Sequence, residues 1–310
     1  MNGFHFCIFF KFFRIIRSVT LILFFFINTA AASLTPTGPY EVKFPHPNRD
    51  PAHLFLPQTY EEKNQWPLII LLHGSSATAE LEDLYLGLSF YVNSRGFILL
   101  LPEGTQDQDG NRFWNATEAC CDAGEPKVDD EGYLLKLIDF VKQEYRVDAR
   151  RIYLFGHSNG GFMAYRLACH HASSFAAIGS LEGATYFNQN DCKPSQPISI
   201  LEIHAKDDSI VHFQGGHSYG ARYPSANQTV RQWLRQNHCD LTQFLDHGYF
   251  DLISSIPGQD TRIQTWSKCA YDAEVAFWKI RPFPFHFAHA PVVNSDFVNQ
   301  ILSFFFSHRR

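Results

Sequence analysis

Six short stretches of the chain are dominated by apolar residues: 67–72, 97–101, 152–155, 175–180, 198–204 and 275–280. Strands buried on both faces read as such runs and lack an alternating pattern. Between the runs, apolar positions recur at helical spacing. Tyr133, Leu134, Leu137, Ile138 and Val141 form one stripe, and Asp129 and Asp130 just before it suit an N-cap and a first turn. Met163, Ala164, Leu167 and Ala168 form a second stripe. Residues 229–237 read as a third helix, and Phe297, Ile301, Leu302 and Phe305, after Ser295-Asp296, as a terminal one. Strands alternating with helices predict the α/β class, with a mostly parallel central sheet covered by helices on both faces. Residues 33–57 are rich in proline and predict edge strands at most. With no internal repeat and no low-complexity linker, residues 33–310 predict one domain.

The first 32 residues have a different character. Lys11, Arg14 and Arg17 precede an apolar run at 19–27 and then Ala30-Ala31-Ala32. This is the pattern of a secretory signal peptide, which predicts cleavage after Ala32 and export to the extracellular space or periplasm. Arg14 and Arg17 leave the uninterrupted run too short to cross a bilayer, so no stable membrane span is expected after cleavage. Without Cys7, six cysteines remain, at 120, 121, 169, 192, 239 and 269. An even number in an exported chain predicts disulfides. Cys120 and Cys121 are adjacent and are expected to have different partners. The absence of a C-x-x-C pair argues against a zinc site. Net charge is −5 with no basic cluster beyond the N-terminus, so nucleic acid is not an expected partner.

The chemistry centres on Gly156-His157-Ser158-Asn159-Gly160, which sits between an apolar run and a helical stripe. A G-x-S-x-G segment between strand and helix is the context of a nucleophile elbow, and it makes Ser158 the candidate nucleophile. A serine hydroxyl needs a base to take its proton and a third group to orient that base. On such a sheet the acid and then the base follow the serine, on loops after later strands. Asp207 and Asp208 both follow the 198–204 run, and His286 and His289 both follow the 275–280 run. His286 and His289 could also form part of a metal site, but no third ligand is evident, and no metal or cofactor is expected. The oxyanion of acyl transfer needs preorganised N–H donors. The backbone of Asn159 and that of Ser75, in the His73-Gly74-Ser75-Ser76 turn, are the candidates.

At these residues the sequence resembles the secreted polyhydroxybutyrate-depolymerase-like and feruloyl or acetylxylan esterase-like serine esterases of the α/β-hydrolase fold. The resemblance runs from about Pro67 to Phe305. It rests on PLIILLHG, LPEG followed by FWNATEACC, VDDEGYLLKLIDFV, RRIYLFGHSNGGFMAYRLAC, ILEIHAKDDSIVHFQGG, WLRQNHC and SKCAYDAEVAFWKI. It implies Asp208 as the acid and His289 as the base, although Ala205 and Ala288 stand where the family has glycine. It also implies a Cys239–Cys269 disulfide and a tryptophan, Trp114, that lines the substrate site or else anchors a loop. The activity it implies is hydrolysis of small or polymeric carboxylic esters through an acyl-enzyme. Polyhydroxyalkanoate (3-hydroxybutyrate) esters are the first candidate class, and feruloyl or acetyl esters of plant polysaccharide the second. A peptidase on the same fold and a catalytically silent binding scaffold are the alternatives.

Overall fold

Side chains alternate across a strand, so each apolar run feeds two separate cores. In the computed structural model, which describes residues 37–44, 49–121, 128–284 and 287–310, the runs form the middle of a ten-stranded sheet. Its strands are β1 (Thr37–Val42), β2 (Ala52–Leu56), β3 (Trp66–Leu72), β4 (Ile98–Leu101) and β5 (Val147–His157). They continue with β6 (Ala177–Leu181), β7 (Ser199–Ala205), β8 (Leu245–Phe250), β9 (Thr261–Trp266) and β10 (Val275–Ile280). The spatial order is β1-β2-β4-β3-β5-β6-β7-β10-β9-β8. The strands β4, β3, β5, β6, β7 and β10 run parallel. Antiparallel strands lie at both margins. The expected signal segment and His286 lie outside the described residues.

One face of the sheet presents Leu68, Ile70, Leu72, Leu100, Ile152, Leu154 and Ile200. It packs against α2 (Asp130–Glu144), α3 (Asn159–His171) and α4 (Ala226–Gln236). The other face presents Ile69, Leu71, Leu99, Tyr153, Phe155, Leu201 and Ile203 to α1 (Ala79–Leu86) and α5 (Ser295–Ser307). This two-faced burial explains why the central strands look uniformly apolar. The fold is an α/β-hydrolase fold. Asp129 caps α2 by accepting the Gly132 N–H, and the stripe from Tyr133 to Val141 is buried as its spacing predicts. All described residues belong to one compact unit, Leu34–Arg310. No helix among them is long and apolar enough to cross a membrane.

Among the elements not anticipated are one helix and two strands of the main sheet. Helix α1 exposes Leu81 and Leu84 and buries Glu82 and Asp83, the reverse of an amphipathic pattern. It is set instead by its ends, where Thr78 accepts the Leu81 N–H and Gly87 takes the left-handed region at φ 69. Strands β8 and β9 extend the sheet beyond β10, and β8 is mostly exposed without alternation. The cysteines correct one expectation. Cys120 and Cys121 are bonded to each other across a cis peptide, with Cα atoms 2.9 Å apart. A trans peptide holds neighbouring Cα atoms farther apart, at about 3.8 Å. Cys169 pairs with Cys192, and Cys239 with Cys269 as the resemblance implies.

Candidate active site

The chain leaves β5 and enters α3 within one residue, and that residue is Ser158, at φ 52 and ψ −119. A turn this tight needs room on both sides. A Cβ on Gly156 would lie 2.1 Å from the Gly160 carbonyl oxygen, and one on Gly160 would lie 2.2 Å from the Leu72 carbonyl oxygen. The two glycines thus let α3 press against β5 and β3. The Ser158 N–H donates to the Leu181 carbonyl at 2.7 Å, which ties the turn to β6.

Two loops bring side chains to this serine. His289 follows β10, and its Nε2 lies 2.9 Å from Ser158 Oγ. Its Nδ1 lies 2.9 Å from Asp208 Oδ2. Asp208 follows β7, and its Oδ1 accepts the N–H groups of Ile210 and Val211 in an Asx-type turn. Burial alone would raise the Asp208 carboxyl, but the His289 hydrogen bond and the Ile210 N–H hold it below the ordinary carboxylate value. Asp207, its rival in the sequence, turns away and accepts the Phe283 N–H.

The loop that carries His289 is fastened at two points. His157 Nε2 donates to the His289 carbonyl at 2.8 Å, and the Tyr85 hydroxyl donates to the Pro291 carbonyl at 2.9 Å. Behind His157 stands Glu82, 3.3 Å from its Nδ1. Burial opposes a charged His157, but the Glu82 charge and hydrogen bond outweigh it and raise its pKa. Glu82 also accepts the Gly74 N–H, so it links the His289 loop to the turn after β3.

That turn and the start of α3 supply N–H donors beside the serine. Asn159 is the first residue of α3, where backbone N–H groups have no helical acceptor. In the turn, Gly74 N–H goes to Glu82 and Ser76 N–H to the Arg112 carbonyl. Ser75 is exposed. His73, just before, is held neutral. Burial lowers its pKa to about 4, and its Nε2 accepts the Gly104 N–H.

Trp114 lies beneath the site and does not form its wall. It is fully buried, so it offers no surface to a substrate. It exchanges two hydrogen bonds with the Asn159 side chain, and its indole N–H donates to the His73 carbonyl at 3.0 Å. Its burial and these bonds are those of a loop anchor.

A buried polar cluster behind Asp208 escaped the sequence reading. Glu182, Glu202, His204 and Tyr165 are each at most 1% exposed. His204 Nδ1 faces Glu202 Oε1 at 3.0 Å, its Nε2 donates to the Val211 carbonyl at 2.8 Å, and Tyr165 donates to Glu202 Oε2 at 2.7 Å. The sequence signal was present in retrospect. Glu202 is a carboxylate inside the apolar 198–204 run, and Glu182 stands just beyond the 175–180 run. Glu182, His204 and Asp208 bring metal-ligand atom types within 4.8 Å of one another. His204 Nε2 spends its proton on Val211, and Asp208 Oδ2 faces His289, so these atoms are committed to protein partners.

A model of the family described as "Esterase PHB depolymerase" matches residues 52–211, which include the turn after β3, the serine turn and the Asp208 loop. The chain belongs to this family. The protein NocK of Nocardia uniformis subsp. tsuyamanensis is 30% identical over 149 residues, which are 48% of this chain and 42% of that protein. The bifunctional acetylxylan esterase/xylanase XynS20E of Neocallimastix patriciarum is 25% identical over 220 residues, 70% of this chain and 28% of that one. Feruloyl esterase B of Piromyces equi is 28% identical over 181 residues, 56% of this chain and 33% of that one. The chain thus spans less than half the length of each of these relatives. Among solved structures, the acetyl xylan esterase from Aspergillus awamori superposes with a TM-score of 0.57 at 13% identity. That match covers 86% of this chain and 98% of the other, and it carries the fold alone.

Proposed function

We propose that this esterase-family member is an exported carboxylic ester hydrolase in which Ser158, His289 and Asp208 form the catalytic triad. The observation that carries this reading is the unbroken path from Ser158 Oγ to His289 Nε2 and from His289 Nδ1 to Asp208 Oδ2, each 2.9 Å long. Ser158 Oγ attacks the ester carbonyl carbon while its proton passes to His289 Nε2. Asp208 keeps the other ring nitrogen protonated and stabilises the imidazolium that forms. The Asn159 and Ser75 N–H groups hold the oxyanion. The tetrahedral intermediate then expels the alcohol, which takes the proton from His289. A water molecule, deprotonated by His289, attacks the acyl-enzyme. The second tetrahedral intermediate breaks its bond to Ser158 Oγ, which takes the proton back from His289 as the acid leaves.

Feruloyl or acetyl esters of polysaccharide are the substrates we favour, because the relatives aligned over more than half of this chain carry those activities in their names. Oligomers of 3-hydroxybutyrate are the second reading, which the family description supports. Export is supported by the N-terminal pattern and by three disulfides. The test is hydrolysis of p-nitrophenyl acetate by wild type and Ser158→Ala, followed by feruloyl and acetyl sugars, 3-hydroxybutyrate oligomers and a peptide panel. We expect Ser158→Ala to lose about 10⁴-fold or more in turnover. Equal activity in both proteins would overturn the triad, and a folded wild type without esterase activity would favour the binding scaffold.

A further inference from the structure

We propose that Glu182 is a positioning residue for the triad acid, a neutral carboxylic acid whose proton is donated to Asp208. The inference rests on the reading of Asp208 as the triad acid.

The geometry begins with the backbone. Glu182 follows β6 at φ 56, a left-handed conformation that is uncommon for a residue with a side chain. Its N–H donates to the Ile203 carbonyl at 2.9 Å, and its side chain crosses to the end of β7. There Oε1 accepts the Ala205 N–H at 2.8 Å. Oε2 is fully buried and accepts no hydrogen bond, although His204 Nε2 lies 3.1 Å away, because that nitrogen aims its proton at Val211. A buried carboxylate oxygen with no donor is costly, and two carboxylates in one site cannot both remain ionised cheaply. A proton on Oε2 removes both difficulties, since the bare acceptor becomes a donor beside the Asp208 carboxylate. Burial, then the Asp208 charge, push the Glu182 carboxyl well above its ordinary value, in accord with this assignment.

Asp208 then has each side of its carboxylate held. Ile210 and Val211 N–H groups hold Oδ1, His289 holds Oδ2, and Glu182 closes the remaining approach. The other titratable groups that face this pair are His204 and Glu202 from β7, Tyr85 from α1, His157 at the end of β5, and Tyr223. Placing the shared proton on Glu182 keeps the negative charge on Asp208, where it faces His289.

The experiment compares the full chain with its Glu182→Gln and Glu182→Leu variants, using pH profiles of kcat/KM and of kcat on p-nitrophenyl acetate. The acidic limb of kcat/KM reports the ionisation of the base in the free enzyme. Glutamine offers the same donor and acceptor as a neutral acid. Glu182→Gln is therefore expected to keep kcat within about threefold and leave the limb in place. Leucine removes the donor from Asp208 and leaves a more basic carboxylate. Glu182→Leu is expected to lower kcat about tenfold at little change in KM and to move the limb to higher pH. A Glu182→Gln limb displaced to lower pH would mean that a negative charge had been removed, which overturns the proposal. A Glu182→Leu enzyme that matches wild type overturns it too. If Glu182→Leu does not fold, the Glu182→Gln profile decides. If Glu182→Gln does not fold, the proposal also fails, because an amide meets the same partners as the neutral acid. Ser158→Ala in the same assay separates these outcomes from failure of the triad itself.

Discussion

Trp114 and Asn159 are joined by a two-way pair of hydrogen bonds. The Trp114 N–H donates to Asn159 Oδ1 at 2.7 Å, and Asn159 Nδ2 donates back to the Trp114 carbonyl at 2.8 Å. The Trp114 indole N–H also reaches the His73 carbonyl, so one buried residue sets the spacing between the two backbone segments assigned to the oxyanion. Trp114→Phe keeps an aromatic ring but removes the indole donor and part of the buried ring volume. We expect turnover of p-nitrophenyl acetate to fall about tenfold with KM nearly unchanged, because a small misplacement of oxyanion donors acts on the transition state. Stability in urea should fall by about 2–3 kcal/mol, the lost hydrogen bond and the cavity together. An unchanged kcat would show that the indole bond does not set the donor spacing.

Gly160 is a position where the serine turn has no room for a side chain. An added Cβ meets the Leu72 carbonyl at 2.2 Å, and strand backbone inside a ten-stranded sheet cannot step aside. Gly160→Ala should cost more than about 3 kcal/mol and yield little soluble protein. A soluble variant with a wild-type urea midpoint would refute the packing argument.

Glu131 ties α2 to α3. Its carboxylate accepts from Arg166 Nε at 2.6 Å and stands 2.6 and 3.0 Å from ring nitrogens of His171 and His170. Burial alone would raise the Glu131 pKa, but the His170, Arg166 and His171 hydrogen bonds bring it down to about 2. The His170 pKa is raised, first by its hydrogen bond to Glu131. A depressed carboxyl contributes stability that is present above its unfolded value, near 4.5, and is lost as pH falls through about 2. A raised histidine contributes stability that is present below 6.5 and is lost as pH rises through its folded value. Glu131→Gln should therefore cost most between about pH 5 and 6, near 1 kcal/mol for a partly exposed cluster. The gap to wild type should narrow towards pH 2 and again in alkali. Urea melts at pH 3, 6 and 9 measure it, and a gap independent of pH would mean the ion pairs are not its source.

The Cys239–Cys269 bond spans 30 residues and joins the end of α4 to the segment before β10. Replacing both cysteines with alanine should lower stability by about 2–4 kcal/mol. The site itself lies on other elements, so kcat at a temperature where the variant is folded should hold. Urea melts and steady-state rates of the same preparation test both statements.

Much of the central sheet could be read from the chain because its signal is local. An apolar run such as 67–72 looks the same whatever lies beside it, and Gly156-His157-Ser158-Asn159-Gly160 fixes its own turn. The ends of the runs before them narrowed the acid to Asp207 or Asp208 and the base to His286 or His289, and only the family resemblance pointed to Asp208 and His289. What could not be read depends on tertiary pairing. Helix α1 buries Glu82 because Gly74 and His157 need its carboxylate, residues that local periodicity cannot connect with it. Strand β8 exists because β9 offers it an edge. Trp114 could be recognised as important from the sequence, but only its burial decides that it supports the site from below. Cys120 and Cys121 pair with each other through a backbone geometry that composition does not encode.

The double fastening of the His289 loop bears on substrate size. With His157 holding the carbonyl of His289 and Tyr85 that of Pro291, the proposed base stands in place before any ligand arrives. The entropy of ordering that loop is lost once, on folding, and not again in each turnover. Remote parts of a substrate then have no rearrangement to drive. Across a series of esters with one acyl group and lengthening alcohols, KM should vary while the acylation rate constant stays nearly level. The smallest ester of the series should react about as fast, once bound, as the largest.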